Sequence, residues 1–240
     1  MKMKSDFKKI KETCHRCNMM LPESGLVIQT FGNASVVDRE REVFGIKPSG
    51  VPYDQLRPED IVIVNFKGEV EEGTLNPSSD TRTHAYLYNC WNDIKGIVHT
   101  HSTYAVAWAQ AQKDIPILGT THADHIATDI PCTNIMSDKM IGGDYEHETG
   151  IQIVDCLEER QLLYQEVEMI LVAGHGPFTW GRTPEKAVYN SIMLEELARM
   201  AFLTLQINPQ APHLKDMLIQ KHHDRKHGEK AYYGQNKHKK

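Results

Sequence analysis

Apolar and polar positions alternate in short runs over the first third of the chain and fall into stripes of helical period over much of the rest. Phe7, Ile10, Cys14, Cys17 and Leu21 share one helical face, which predicts a helix over 4–21 with Pro22 as its stop. Strand-like runs follow at 26–31, 34–37, 42–47 and 60–66. The first is closed by Gly32-Asn33 and the third by Pro48-Ser49-Gly50, while Lys67-Gly68 turns the last back through Glu69-Val70. Helical spacing appears over 80–91, 103–112 and 149–164, and 115–133 reads as irregular strand and loop. Further strands are expected at 96–101 and 169–173, the latter ending in a turn at 174–177. Thr183-Pro184-Glu185 is a capped helix start, and that helix should reach about Leu205 with Ala187, Leu194, Ala198, Ala201 and Leu205 on one stripe. A last helix is predicted over 212–222. No repeat or compositional break divides the chain, so 1–240 reads as one α/β domain. Its many hairpin-like connections predict a mainly antiparallel central sheet covered by helices on both faces.

Composition narrows the class without changing this picture. The chain is 40 % hydrophobic, enough for a substantial core, and its net charge of -5 argues against nucleic acid as a partner. No window approaches the roughly 18 uninterrupted apolar residues of a membrane span. Residues 1–24 lack a signal-peptide core, so a cytoplasmic protein is expected. Five cysteines, an odd number, agree with a reducing compartment, and Cys14 and Cys17 read as buried helix residues rather than a redox pair. Positive charge collects at the C-terminus, at Lys221, Arg225, Lys226, Lys230, Lys237, Lys239 and Lys240 among His222, His223, His227 and His238. A solvated tail is the ordinary account of that run, with anion recruitment or a subunit contact as the rival.

The candidate chemistry centres on His99 and His101. Residues i and i+2 of a strand project from one face, so two imidazoles can meet one ion. His175, in Gly174-His-Gly-Pro177, offers a third imidazole, and Asp80 offers an oxygen. A set of this kind suits Zn²⁺, with Mn²⁺ or Co²⁺ as alternatives. His122 and His125 compete as ligands on local evidence. Ser78-Ser79-Asp80 precedes a predicted helix, where it can cap backbone amides or help bind an anion. Lys47 with Ser49-Gly50, and Gly32-Asn33, are two more donor-rich turns at expected strand ends. Asp124 is a candidate acid or base, and Tyr232-Tyr233 offers a phenol for the same work.

In order, Thr30-Phe-Gly-Asn-Ala-Ser35, Lys47-Pro-Ser-Gly50, Glu72-Gly-Thr74, Pro77-Ser-Ser-Asp80, Val98-His-Thr-His101, Gly119-Thr-Thr-His-Ala-Asp124, Gly174-His-Gly-Pro-Phe-Thr-Trp-Gly181 and Arg225-Lys-His-Gly-Glu-Lys-Ala-Tyr-Tyr-Gly-Gln235 resemble the class II aldolase and epimerase family, and most closely its pentulose-phosphate 4-epimerase branch. The resemblance covers about residues 25 to 235. It implies a homotetramer with active sites between subunits, the tail 224–240 contributing to a neighbour's site. It implies Zn²⁺ held by His99, His101 and His175, with Asp80 at the carboxylate position. Gly32, Asn33, Lys47, Ser49, Gly50, Ser78 and Ser79 would bind the phosphate of a phosphorylated pentulose. Asp124 and Tyr233 match the proton-transfer residues, Tyr233 acting in the neighbour's site, and His222 matches a supporting histidine. Relatives that release their aldol fragments tend to carry Glu where Asp80 stands, so Asp80 leans towards epimerisation by cleavage and re-formation of C3–C4. Phe31, Ala34 and His125 depart from the usual side chains, which touches substrate preference.

Overall fold

The alternating runs of the first half build most of a seven-stranded sheet in the computed structural model, which describes residues 7–228. The strands are β1 (Asn33–Asp38), β2 (Val43–Ile46), β3 (Val62–Asn65), β4 (Val70–Glu72), β5 (Gly96–His99), β6 (Met169–Val172) and β7 (Gly176–Gly181). Their order is β4-β3-β2-β1-β5-β7-β6, and every neighbouring pair is antiparallel. The helices are α1 (Lys8–Glu23), α2 (Thr81–Cys90), α3 (Thr103–Gln110), the single turns α4 (Thr120–Ala123) and α5 (Asp138–Ile141), α6 (Tyr145–Glu159), α7 (Pro184–Ile207) and α8 (Asp216–His227).

The period of two along each strand separates two cores. Phe44, Ile46, Val62, Val64, Ile97, Phe178 and Trp180 face one side and pack with Leu87 and Tyr88 of α2, Ala105 and Ala109 of α3 and Ile153 of α6. Ala34, Val36, Val43, Ile63 and Val98 face the other side, against Ile10, Cys14, Cys17 and Leu21 of α1 and Ala187 of α7. The Val, Leu, Ile and Phe side chains among them contribute about 1.5–3 kcal/mol each on full burial. The expected α/β architecture, a helix-covered antiparallel sheet, is the one observed. Cys14 and Cys17 are buried free thiols on the α1 stripe, and Cys14 Sγ donates to the Gly45 carbonyl at 3.2 Å.

Several boundaries differ from the sequence expectation. The strand expected over 26–31 does not form: Gln29 has φ +56°, the Phe31 amide closes a turn on Ile28, and Ile28 and Phe31 are exposed. α1 runs through Pro22 to Glu23, because a missing N–H in the last turn forfeits only one helix bond. The helix expected over 149–164 lies over Tyr145–Glu159, with Glu146 and Glu148 in its first turn and a left-handed Gln161 beyond its end. The turn expected at 174–177 is shorter, since Gly176 already opens β7. The last helix begins at Asp216, because the Leu214 amide is tied to the Ile117 carbonyl in an extended stretch, and it runs to His227. Among the described residues no helix is long and apolar enough to cross a membrane.

Candidate metal centre and phosphate cavity

β5 lies inside the sheet between β1 and β7, and its last residue, His99, registers with Asn33 of β1 and Phe178 of β7. The Phe178 ring stacks on the His99 imidazole with centroids 4.3 Å apart. His99 Nδ1 lies 3.0 Å from the Pro177 carbonyl oxygen. A carbonyl only accepts, so Nδ1 carries the proton and the Nε2 lone pair is left for an ion. His101 follows just beyond the strand. His175 sits in the β6–β7 turn, which Gly174 enters at φ +70°. Gly176 lets that turn press on the end of β5: a Cβ there would stand 2.9 Å from the Thr100 carbonyl.

The three rings converge, with centroids 4.9 Å (His99–His101), 4.6 Å (His99–His175) and 5.2 Å (His101–His175) apart. Their ligand nitrogens all lie within 4.8 Å of one another. Burial and the neighbouring His99 push His175 down to about 3 and lower His101 as well, so both offer the neutral rings that a metal needs. Asp80, at the head of α2, makes no side-chain cap. Its Oδ2 instead accepts from Asn33 Nδ2 at 2.7 Å and Ser78 Oγ at 3.2 Å. Burial works to raise the Asp80 carboxyl, but His99, His84, His175 and the Asn33 amide outweigh it and hold the group below its usual range.

The triad opens on a cavity of about 300 Å³ whose wall also carries Gly32, Asn33, Lys47, Ser49, Gly50, Ser78, Ser79 and Asp80. All four expected metal residues and all seven expected phosphate residues therefore share one space. Lys47 is 1 % exposed. Its ammonium donates to the Thr30 carbonyl at 3.3 Å and the Pro48 carbonyl at 3.4 Å and rests 4.8 Å above the Tyr53 ring. No carboxylate pairs with it among the described residues, and burial lowers it to about 8. A buried cation beside hydroxyls, without a counter-ion, is a receptor for an anion. Gly32, at φ +84°, brings the loop against β5, where a Cβ would meet the His99 carbonyl at 3.1 Å.

The other expected residues lie elsewhere. Asp124, just after α4, faces α8: Arg225 Nε donates to its Oδ1 at 2.8 Å, Arg225 Nη2 bonds its Oδ2, and His222 Nδ1 lies 3.1 Å from Oδ1. Neither Asp124 nor His222 lines the histidine cavity of the same chain. Tyr232 and Tyr233, with Lys230, Lys237, His238, Lys239 and Lys240, lie outside the described residues. His122 is buried with Nε2 on the Thr128 carbonyl, and His125 Nδ1 lies 3.4 Å from the Tyr189 hydroxyl, so neither joins the triad. Sequence reasoning missed Tyr145, whose hydroxyl lies 3.4 Å from His175 Nδ1, and Tyr53, whose hydroxyl donates to the Gly32 carbonyl at 2.9 Å. It also missed His84, for which the spacing of four from Asp80 on one helix was the available signal.

Residues 12–202 match the family described as Class II Aldolase and Adducin N-terminal domain. Among solved structures, an L-fuculose 1-phosphate aldolase superposes with a TM-score of 0.77 at 24 % identity, covering 90 % of this chain and 95 % of that one. YgbL from Escherichia coli, titled a putative aldolase/epimerase/decarboxylase, gives 0.71 at 23 % identity over 89 % and 97 %. The L-fuculose-1-phosphate aldolase of Thermus thermophilus gives 0.64 at 22 % identity over 86 % and 99 %. These likenesses establish the shared fold, and the family match spans most of the chain: it belongs to the class II aldolase and adducin N-terminal domain family.

Proposed function

We propose that this protein is a metal-dependent L-ribulose-5-phosphate 4-epimerase, interconverting L-ribulose 5-phosphate and D-xylulose 5-phosphate. The observation that carries the reading is the single cavity in which an imidazole triad and an ionised Asp80 face the buried, carboxylate-free Lys47. The donor set fits a divalent transition metal: His99 has its Nδ1 spent on a carbonyl, and His101 and His175 are held neutral. His99, His101 and His175, with Asp80, would hold Zn²⁺ or, alternatively, Mn²⁺ or Co²⁺. Such an ion supplies a Lewis acid for the negative charge that develops on a ketose carbonyl as the adjacent carbon–carbon bond breaks.

The hydrogen on C4 of a pentulose is not acidic, so inversion there proceeds by parting C3 from C4. The C4 hydroxyl gives up its proton, its oxygen becomes an aldehyde, and the C3–C4 electron pair passes to the C1–C3 fragment. Lys47, Ser49, Ser78, Ser79 and Asn33 would keep the glycolaldehyde phosphate fragment by its phosphate while the aldehyde turns its other face. The C1–C3 fragment then re-forms the C3–C4 bond on that other face, and the C4 oxygen takes back its proton, leaving C4 in the opposite configuration. Asp124 and Tyr233 would accept and return that proton, one on each side, with His222 in support. Because Asp124 stands apart from the cavity of its own chain, this reading requires a homotetramer in which one subunit offers Asp124, Tyr233 and the 224–240 tail to another's histidines.

The test is to incubate the metal-loaded protein with L-ribulose 5-phosphate. D-xylulose 5-phosphate without free glycolaldehyde phosphate is expected. Net release of dihydroxyacetone and glycolaldehyde phosphate would make the protein an aldolase instead, and absence of turnover would remove both readings.

A further inference from the structure

β1 and α2 face each other through two polar rungs. Asn33 and Ser35 are two apart on a strand, Asp80 and His84 four apart along the helix and its cap, and both spacings repeat at roughly 6–7 Å on one face. The first rung is Asn33 Nδ2 on Asp80 Oδ2 at 2.7 Å. The second is Ser35 Oγ and His84 Nδ1 at 2.7 Å, with the Tyr88 hydroxyl 2.8 Å from the same Ser35 oxygen. Ser35, His84 and Tyr88 are 1 %, 0 % and 0 % exposed, inside the otherwise apolar core.

Hydrogen-bond accounting fixes the direction of this chain. If Tyr88 donates to Ser35 and Ser35 to His84 Nδ1, both hydroxyl protons are used and Nε2 carries the imidazole hydrogen. In the reverse direction the Tyr88 hydroxyl hydrogen and the Nε2 lone pair are both stranded in the core, which costs one buried group more. The favoured direction leaves one open valence, an Nε2–H, and that nitrogen is buried without a partner. Four such side-chain atoms occur among the described residues, and two belong to the neighbours of Asp80: His84 Nε2 and Asn33 Oδ1. His84 follows Asp80 by one helical turn, and the two side chains reach Ser35 and Asn33, two residues apart on β1. Asn33 and Ser78 both donate to Asp80 Oδ2, and no described residue donates to Oδ1, so the carboxylate that lines the cavity is fixed by one oxygen only.

We propose that His84 is a positioning residue, held as its Nε2–H tautomer by Ser35 and Tyr88, whose buried ring, one helical turn from Asp80 and not hydrogen-bonded to it, acts through its dipole to hold the Asp80 carboxylate towards the three histidines. It touches no substrate. The proposal rests on the metal centre but not on which sugar is turned over, so its test uses metal alone. Zinc affinity is measured by competition with a chromophoric chelator, and the ligand field by the visible absorption of the Co²⁺-loaded protein. His84→Phe keeps the ring volume and removes the ring dipole; zinc affinity should fall about 10–100-fold, and the Co²⁺ spectrum should change. His84→Gln places an amide N–H near the Nε2 position and should recover most of that loss. Tyr88→Phe removes the donor at the head of the chain and should weaken zinc by a smaller factor. A folded His84→Phe with wild-type zinc affinity and Co²⁺ spectrum overturns the proposal, as does a His84→Gln no better than His84→Phe. Should His84→Phe not fold, Tyr88→Phe decides: weakened zinc supports the proposal, and unchanged affinity overturns it. A wild-type protein that binds none of Zn²⁺, Co²⁺ or Mn²⁺ removes the metal centre and this proposal together, whereas failure on L-ribulose 5-phosphate alone leaves it standing.

Discussion

The histidine cavity and the Asp124 cluster are built from similar side chains and stand in opposite states. In the cavity, three imidazoles, a carboxylate and a buried ammonium face one space with valences to spare. Around Asp124 the valences are spent: Arg225 forks across both carboxylate oxygens, His222 approaches Oδ1, and His227 Nε2 lies 3.0 Å from the Asp124 carbonyl. The cavity is formed by strand ends whose register fixes them, whereas the second cluster depends on α8, which packs chiefly against the single turn α4. An open constellation on a rigid frame is preorganised to bind. A closed one on a lightly attached helix must exchange partners before it can act. In the proposed reaction, Asp124 accepts a proton only when a neighbouring subunit's substrate competes with the Arg225 fork.

The largest effects should come from the open site. His99→Asn removes the Nε2 proposed to hold the metal while its amide can keep the bond to the Pro177 carbonyl, so metal content and turnover should fall together, turnover by about three orders of magnitude or more. Metal analysis beside the epimerase assay checks it, and a fully metallated, active variant would dissolve the contrast between the two regions. Asp124→Asn should retain the metal and lose about 10²–10⁴ in turnover, as should Tyr233→Phe. If Asp124→Asn instead keeps its turnover and only loosens α8, the closed cluster is structural and the two regions share no chemistry.

How far the sequence reveals these regions follows from how each is held together. The His99-Thr-His101 spacing, the β-branched runs at 34–37 and 60–66 and the Thr183-Pro184 start are local signals, and the structure keeps them. Elements set by distant partners escape local pattern. α6 lies close on α2 because Gly150 sits against the Tyr86 ring, where a Cβ would stand 2.9 Å from Tyr86 Cβ, and nothing near Thr149 announces that contact. The 26–31 run looks like a strand because it is apolar, but it serves as a loop over the cavity, with Phe31 lying 5.5 Å from the His101 ring. Asp80 resembles a helix cap, and only the tertiary structure shows its carboxylate making no cap and taking the Asn33 amide of β1 instead. That Asp124 lies outside its own chain's cavity is a fact of tertiary placement that no spacing encodes.

A smaller effect tests the phosphate side of the open site. Burial lowers Lys47 to about 8, below its ordinary value, so the free protein carries this charge under pH 8 and loses it above. A bound anion favours the charged form and raises that value. Affinity for the phosphorylated sugar should therefore be level below about pH 8 and decline as the pH rises through it. KM measured between pH 6.5 and 9.5 should show the decline, and Lys47→Met should raise KM at neutral pH by about 10–100-fold and flatten the profile, on the scale of one charged hydrogen bond. A wild-type profile that Lys47→Met leaves unchanged would place the phosphate elsewhere.

The smallest expected change lies at the closed cluster. Burial alone would raise the Asp124 carboxyl, but hydrogen bonds from Arg225 and His222, followed by the charges of Arg225 and Lys226, pull it below the usual range. A carboxyl lowered on folding stabilises the fold above its unfolded value, and that contribution is lost as the pH falls through the folded one. Arg225→Met should cancel it, at a cost of about 1 kcal/mol for a pair whose Arg225 end is partly exposed. Hydrogen exchange at neutral pH should then quicken in α8 and α4 while the amides of β5 and β7 stay protected, because the sheet carries its own packing. The same comparison near pH 3 should show a smaller difference between variant and wild type, since Asp124 is then closer to protonation in both. Equal protection of α8 in the two proteins at neutral pH would mean that the Arg225 fork does not hold the helix, leaving Asp124 open to a partner without any prior exchange.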